Sequence, residues 1–445
     1  MKKYLVLLGA ALLVMAVASP SMAQFKSWGH MEIATMWRNQ NDFNIGGYAA
    51  DGTALNVDRD MNEKWITQRF RFYLQYGDPK TVRAVIGFEG DSSNWGESAW
   101  TTADTTSSNP SGRMGTYGTD QLQLEIKHAF LEFVVPNTPL TVTAGMQWFG
   151  FGGRLWQSKD APGVMLAANF APHKIQAFWW REKDDARDTY DTNDTYGLAW
   201  GMKQKVFNVG AFFAYKNDVS NATYDDHPWW VGVQGGFRPG NWEFSGNFIY
   251  NGGERDYVTG TDFDYKGWVV DALATYKIGP GMAVSVEGYY ATGGDANDTD
   301  EYGYYTVPSG SEAWYGFGNN RSIFMFQNSD FMYTHAKYVN ASGLWYGRVN
   351  FEYNPLAWIN LNFNYLYIGD TRDNGNIVSY ASTARQDKDE DYVGSEVNVL
   401  AKLKIYKSMY YNIAFGYFFP GDVYDAANKS ADNAFTAVTC LRYFF

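Results

Sequence analysis

Segment after segment of this chain sorts its side chains onto two faces with a period of two, and the segments are joined by connections that alternate between short and long. In RFRFYLQY, Phe70, Phe72, Leu74 and Tyr76 fall on one face and Arg69, Arg71, Tyr73 and Gln75 on the other. WINLNFNYLYI sets Ile359, Leu361, Phe363, Tyr365 and Tyr367 against Asn360, Asn362 and Asn364. GLWYGRVNFEY and SEVNVLAKLKI divide in the same way. A period of two is the signature of a strand with one apolar and one wet side.

The connections choose between architectures. Short turns are expected at 77–80, 136–139, 171–172, 204–206, 239–241, 279–281, 354–356 and 406–408. Longer polar stretches fall at 39–60, 91–120, 149–162, 182–193, 217–227, 251–263, 292–340, 369–391 and 420–432. Eight turns and nine loops imply eighteen strands, or sixteen if the segments around 162–170 and 172–181 merge. A soluble sandwich has no reason to gather its long loops at one end. A membrane barrel does, with short periplasmic turns, long external loops and an even number of antiparallel strands. The expected fold is therefore all-β: a transmembrane antiparallel up-and-down β-barrel of about eighteen strands.

Composition agrees. Aromatic residues make up 18% of the chain, yet the mean hydropathy is −0.38, and no later apolar run reaches the roughly twenty residues of a spanning helix. Alternation hides the apolar half of a barrel from such averages. The opening MKKYLVLLGAALLVMAVASPSMAQ has two lysines, a short apolar run and a small-x-small site ending at Ala23, so residues 1–23 read as a signal peptide and 24–445 as one barrel domain in the outer membrane of a Gram-negative cell. The net charge of −12 argues against a nucleic-acid partner. A single cysteine, Cys440, allows no intramolecular disulfide.

One hairpin offers a register. If Gly77 faces Thr81, then Tyr76 meets Val82, Leu74 meets Ala84, Phe72 meets Ile86 and Phe70 meets Phe88, which places Arg69 opposite Glu89 as a cross-strand ion pair. At the other end of the chain, TAVTCLRYFF puts Phe435, Ala437, Leu441, Tyr443 and Phe445 on the lipid face and Thr436, Cys440 and Arg442 on the wall. This strand is expected to pair with the first, near Trp28 to Trp37, to leave no open edge.

A barrel of this width cannot be filled by wall side chains alone, so its lumen is expected to hold water. Alternation begins at SWGHMEIATMWR, which leaves no room for a separate plug, so an inward loop and wall charges must narrow the passage. The expected pore-lining set is Arg69, Arg71, Arg83, Lys127, Arg348, Lys402 and Lys404 with Glu89, Glu125, Glu243, Asp271, Glu287, Glu352 and Glu396, cations and anions on opposite arcs. The longest stretch, 292–340, contains SIFMFQNSDFMY, too apolar for a solvated loop and expected to pack into the mouth or against a neighbouring subunit.

LEIKHAFLEFVVPNTPLTVTAGMQWF, residues 124–149, resembles the paired strands of bacterial outer-membrane porins. That resemblance implies a passive channel for small hydrophilic solutes, contact with outer-membrane lipid and lipopolysaccharide, and a homotrimer. The terminal Tyr443 and Phe445 resemble the signal read by the barrel assembly machinery. GMQWFGFGGR and YYATGGDANDTDE also resemble the alginate-export family, eighteen-stranded barrels that pass an anionic polysaccharide through an arginine-rich pore; the acidic balance here sets this chain apart. A non-conducting structural or adhesive barrel is the remaining alternative.

No cofactor and no catalysis are expected, because His30, His128, His173, His227 and His335 show no metal-ligand or triad spacing. His128 breaks the alternation of its strand, as a bulge would. The acidic DANDTDE stretch lacks the glycine and distal glutamate of a calcium loop and reads as a solvated tip.

Overall fold

The computed structural model describes residues 25–39, 47–48, 54–55, 62–96, 124–184, 192–295, 297–308, 311, 319–332, 342–372, 390–425 and 430–445. The signal sequence, His335 and most of the stretches 40–61, 97–123 and 373–389 lie outside them.

Eighteen long strands form one antiparallel sheet. They are β1 (Lys26–Asn39), β2 (Asn62–Asp78), β3 (Val82–Asn94), β4 (Glu125–Val134), β5 (Leu140–Phe151), β6 (Gln157–Phe170), β7 (His173–Asp184), β8 (Thr192–Lys203) and β9 (Phe207–Asp218). The second half comprises β10 (Tyr224–Phe237), β11 (Trp242–Tyr257), β12 (Gly267–Gly279), β13 (Met282–Ala291), β14 (Leu344–Leu356), β15 (Ile359–Asp370), β16 (Tyr392–Tyr406), β17 (Met409–Pro420) and β18 (Ala434–Phe444). Each strand pairs with its neighbours in sequence, and β1 pairs with β18 from His30↔Phe444 to Asn39↔Phe435. The sheet therefore closes, which satisfies every backbone donor and acceptor at the seam. A short parallel pair, Phe263–Tyr265 with Glu301–Tyr302, extends the sheet at the external end.

The exterior is apolar along each strand: Leu198, Phe213, Val231, Val233, Phe248, Val286, Val349, Phe363, Val397 and Phe415 all point outward. Their neighbours in sequence point in, which is the alternation expected of a wall between lipid and lumen. Near the turn end Phe207, Phe237, Trp242, Tyr276, Tyr353 and Phe445 form an aromatic band at the interface level.

Three local expectations are corrected. The β2–β3 register is displaced by two residues: Tyr76 meets Ala84, Leu74 meets Ile86, Phe72 meets Phe88, and Arg71, not Arg69, faces Glu89. The cause is the turn. Asp78 closes it by accepting the Thr81 amide on its carbonyl at 3.0 Å and the Lys80 amide on its carboxylate at 2.9 Å, so Asp78 pairs with Val82 one step further out. A shift of two keeps each side chain on its face, so the apolar match survives.

The second correction concerns 149–162, expected as a long loop. Strand β5 runs to Phe151 and β6 starts at Gln157, leaving only Gly152 to Trp156 between them. The third is the turn at 354–356, where β14 continues to Leu356 and pairs with Ile359, so the reversal falls on Ala357 and Trp358. The bulge at His128 is present: Gly87 pairs with His128 and Phe88 with Ile126, leaving Lys127 as the extra residue.

Candidate functional site

Inside the barrel the charges interleave as pairs, so the expected separation of cations and anions onto opposite arcs does not occur. A chain of contacts crosses from β18 to β6. Arg442 Nε lies 2.7 Å from Glu32, Arg69 lies 3.3 Å from Glu32 and 3.7 Å from Glu89, and Arg71 donates to Glu89 at 2.6 Å. Lys127 then bridges Glu89 at 2.8 Å and Asp160 at 2.6 Å, and His128 meets Asp160 at 2.9 Å. The bulge is what delivers Lys127 and His128 to the lumen side together. The Arg442 N–H is aimed off the Glu32 oxygen, so that contact is Coulombic and not a directed hydrogen bond. Pairing follows from desolvation: a wall charge half-shielded from water is costly unless matched.

A second group holds an inward segment, residues 319–332. On the wall, Glu287 takes Arg348 at 2.5 Å and Arg321 at 2.6 Å. The fully buried Glu396 accepts the Ser322 hydroxyl at 2.6 Å and the amides of Ile323 at 2.8 Å, Phe324 at 3.2 Å and Met325 at 3.1 Å. Farther along, Asp330 binds Lys402 at 2.6 Å and Arg442 at 2.8 Å. Burial would raise the Asp330 carboxyl, but Lys402 and Arg442 outweigh it and hold the group below the usual carboxylate range. Apolar burial completes the anchor, since Ile323, Phe324, Met325, Phe326 and Phe331 are all sealed from solvent. The apolar stretch SIFMF thus packs inside the barrel.

The opposite arc is aromatic. Phe149, Phe178, Trp180, Phe212 and Trp230 point inward and surround Trp156, whose ring centroid is 4.7 Å from Phe212 and 5.7 Å from Trp230. Gly152 carries the connector inward at φ +69°, and a Cβ there would lie 2.7 Å from the Trp156 Cβ. The Tyr305 hydroxyl donates to the Leu155 carbonyl at 2.8 Å, and Ser311 donates to the Trp156 carbonyl at 3.0 Å. Two inward segments from different loops therefore brace each other inside the barrel.

The expected wall residues divide between these two groups and separate contacts. Arg69, Arg71, Glu89 and Lys127 belong to the first chain and Glu287, Arg348, Glu396 and Lys402 to the second group. Arg83 pairs with Glu132 at 2.7 Å and Glu243 with Arg238 at 2.7 Å. Asp271 is buried near Asn247, 3.5 Å away, and Glu352 accepts from Asn354 and Asn360 at 2.9 and 2.8 Å. Glu125 opposite Glu89 and Lys404 opposite Tyr410 sit nearer the ends. Sequence reasoning missed Glu32, Asp160, Arg321 and Asp330. The last two sit in a loop without periodicity, and only their partners reveal them.

His128 contacts Asp160 and the rings of Tyr73 and Phe130, His227 meets the Tyr215 hydroxyl at 3.3 Å, and His173 accepts from Trp200 at 3.3 Å. Asp295 turns its carboxylate onto the Asn297 amide at 2.8 Å.

A closed eighteen-stranded barrel with an apolar exterior and a paired-charge lumen narrowed by inward segments is a transmembrane β-barrel of the outer-membrane type. Its fold matches solved structures from Pseudomonas aeruginosa. Outer membrane protein OprD aligns at TM-score 0.54 and 12% identity, over 94% of this chain and 93% of that one. OccK8 (OprE) aligns at 0.52 and 12%, over 94% and 98%, and OccK11 (OpdR) at 0.52 and 9%, over 95% and 96%. No protein-family model and no curated protein matches the chain.

Proposed function

We propose that this protein is an outer-membrane porin, a passive channel for small hydrophilic solutes in a Gram-negative cell. The observation that carries the reading is the inward segment 319–332, held on the wall through Glu287, Glu396, Lys402 and Arg442. A purely structural barrel gains nothing from an ordered constriction, whereas a channel needs one to sieve solutes. The pairing of wall charges tells against the alginate-type alternative, because a polyanion requires an excess of unmatched cations along its path. The fold likeness to an outer membrane protein supports the location.

The apolar exterior suits direct contact with lipid, and lipopolysaccharide is its natural external neighbour. Tyr443 and Phe445 lie at the seam, and the resemblance of this ending to an assembly signal supports recognition by the assembly machinery. A homotrimer remains part of this reading through the resemblance to porins. Planar-bilayer recording tests the function: stable steps of conductance support the channel, and silence with folded protein supports the structural alternative. Deleting 319–332 should enlarge the steps.

A further inference from the structure

Beneath the inward segment lies a cavity of about 470 Å³, lined by Asn319, Asn320 and Arg321 from above and by inward residues of β11 to β15. At about 30 Å³ per water this space holds roughly fifteen waters, enough for a solute of disaccharide size. Its wall presents the side-chain amides of Asn350, Asn354 and Asn362, which are held by further amides beside and behind them. Asn354 and Asn360 share Glu352, Asn360 accepts from Asn362 at 2.7 Å, and Asn350 donates to Asn362 at 3.3 Å and to Asn364 at 3.0 Å. Asn364 continues to Asn398 at 2.9 Å, and Asn398 reaches the Arg321 carbonyl at 2.8 Å.

The ladder arises from the period-two pattern of β15. Placing Asn360, Asn362 and Asn364 on alternate positions puts all three amides on one face. Ser245, Thr275 and Ser285 line the far side, the last two joined at 2.8 Å. Of the charged groups at this cavity, Arg321 and Arg348 are committed to Glu287, which Asp271 adjoins, and Glu243 to Arg238, while Lys277 and Glu352 flank Ala283 on neighbouring strands and offset each other in sign.

An amide offers two donors and two acceptor lone pairs, and a hydroxyl offers both roles as well. A surface of amides and hydroxyls with matched charges therefore replaces the hydration of a neutral polyhydroxylated solute. It does not replace that of an ion, which needs an unmatched opposite charge. We propose that the asparagine ladder is a binding track for neutral sugars, a reading that deepens the channel function and rests on it.

The test is sugar block of single channels formed by the full-length mature protein, with sucrose as probe and glutamate and lysine as comparisons of similar or smaller size. Sucrose should reduce the current saturably and at lower concentration than either charged solute. In N350A/N362A the half-blocking concentration should rise about tenfold, equivalent to about 1.4 kcal/mol. If that variant fails to assemble, N362D keeps the shape and should weaken the block by a similar factor. An open channel without saturable sucrose block overturns the sugar track and leaves the channel standing, as does stronger block by glutamate or lysine, or a block unchanged in N362D. Absence of any conductance overturns the channel reading itself.

Discussion

The carboxylate of Glu396 on β16 accepts the backbone amide of Ile323 at 2.8 Å, joining residues 73 apart in sequence inside the barrel. It does the same for the two following residues, which would otherwise bury unpaired amides. Each such orphan costs about 1–3 kcal/mol. Glu396→Ala should therefore release the inward segment and raise single-channel conductance, with Glu396→Gln intermediate. Equal conductance in all three proteins would show that the segment is held by its other anchors.

The Asp330 contact sets a pH limit. With its carboxyl held below the usual range by Lys402 and Arg442, it contributes stability that is fully present above the unfolded value of 3.8 and is lost as pH falls through the lower folded value. Channel noise from the segment should stay flat from neutral to mildly acid solution and increase only in strong acid. Asp330→Asn should show the noisy behaviour at neutral pH.

Glu89 balances Arg71, Arg69 and Lys127 at 2.6, 3.7 and 2.8 Å. Glu89→Gln leaves a local excess of cations in the lumen, so reversal potentials in a salt gradient should shift toward anions. The shift should shrink at high salt, where the Debye length falls to about 3 Å at 1 M.

Trp156 fills the centre of the aromatic arc with no exposed surface. Trp156→Ala should lower stability by about 3–5 kcal/mol and widen the passage. Tyr305→Phe, which removes the bond to Leu155, should cost only about 1 kcal/mol. Thermal unfolding followed by circular dichroism separates the two.

At the seam, Gly29 and Phe445 exchange backbone hydrogen bonds of 3.0 and 3.1 Å. The Phe445 ring lies 6.1 Å from Phe70 and 6.4 Å from Phe72. Phe445→Ala should lose about 0.5–1.5 kcal/mol for each aromatic pair broken. Gly29→Ala should be worse, because its Cβ would lie 2.2 Å from the Arg71 carbonyl oxygen. Loss of the compact band on unheated gels would report both.

Much of this was legible in the sequence. The alternation in β15 and β16 assigned inward and outward faces that the structure reproduces, from Asn362 to Tyr367 and from Glu396 to Leu400. The strand number and the seam between β1 and β18 followed from loop alternation and from the rule that a membrane sheet has no open edge. These are local or topological properties, because a period of two and a turn are written in consecutive residues.

The tertiary structure alone decided the rest. The β2–β3 register depended on how the Asp78 carboxylate folds over its turn, since both registers match apolar residues equally well. The ion pairs depended on that register and on a bulge at Lys127. The aromatic arc escaped the sequence because Phe178, Trp179 and Trp180 are apolar on both faces, so alternation carries no sign there. Trp156, Ser322 and Asp330 acquire their positions from partners more than 70 residues away. Local pattern fixes which way a strand side chain points; only closure of the barrel determines what it meets.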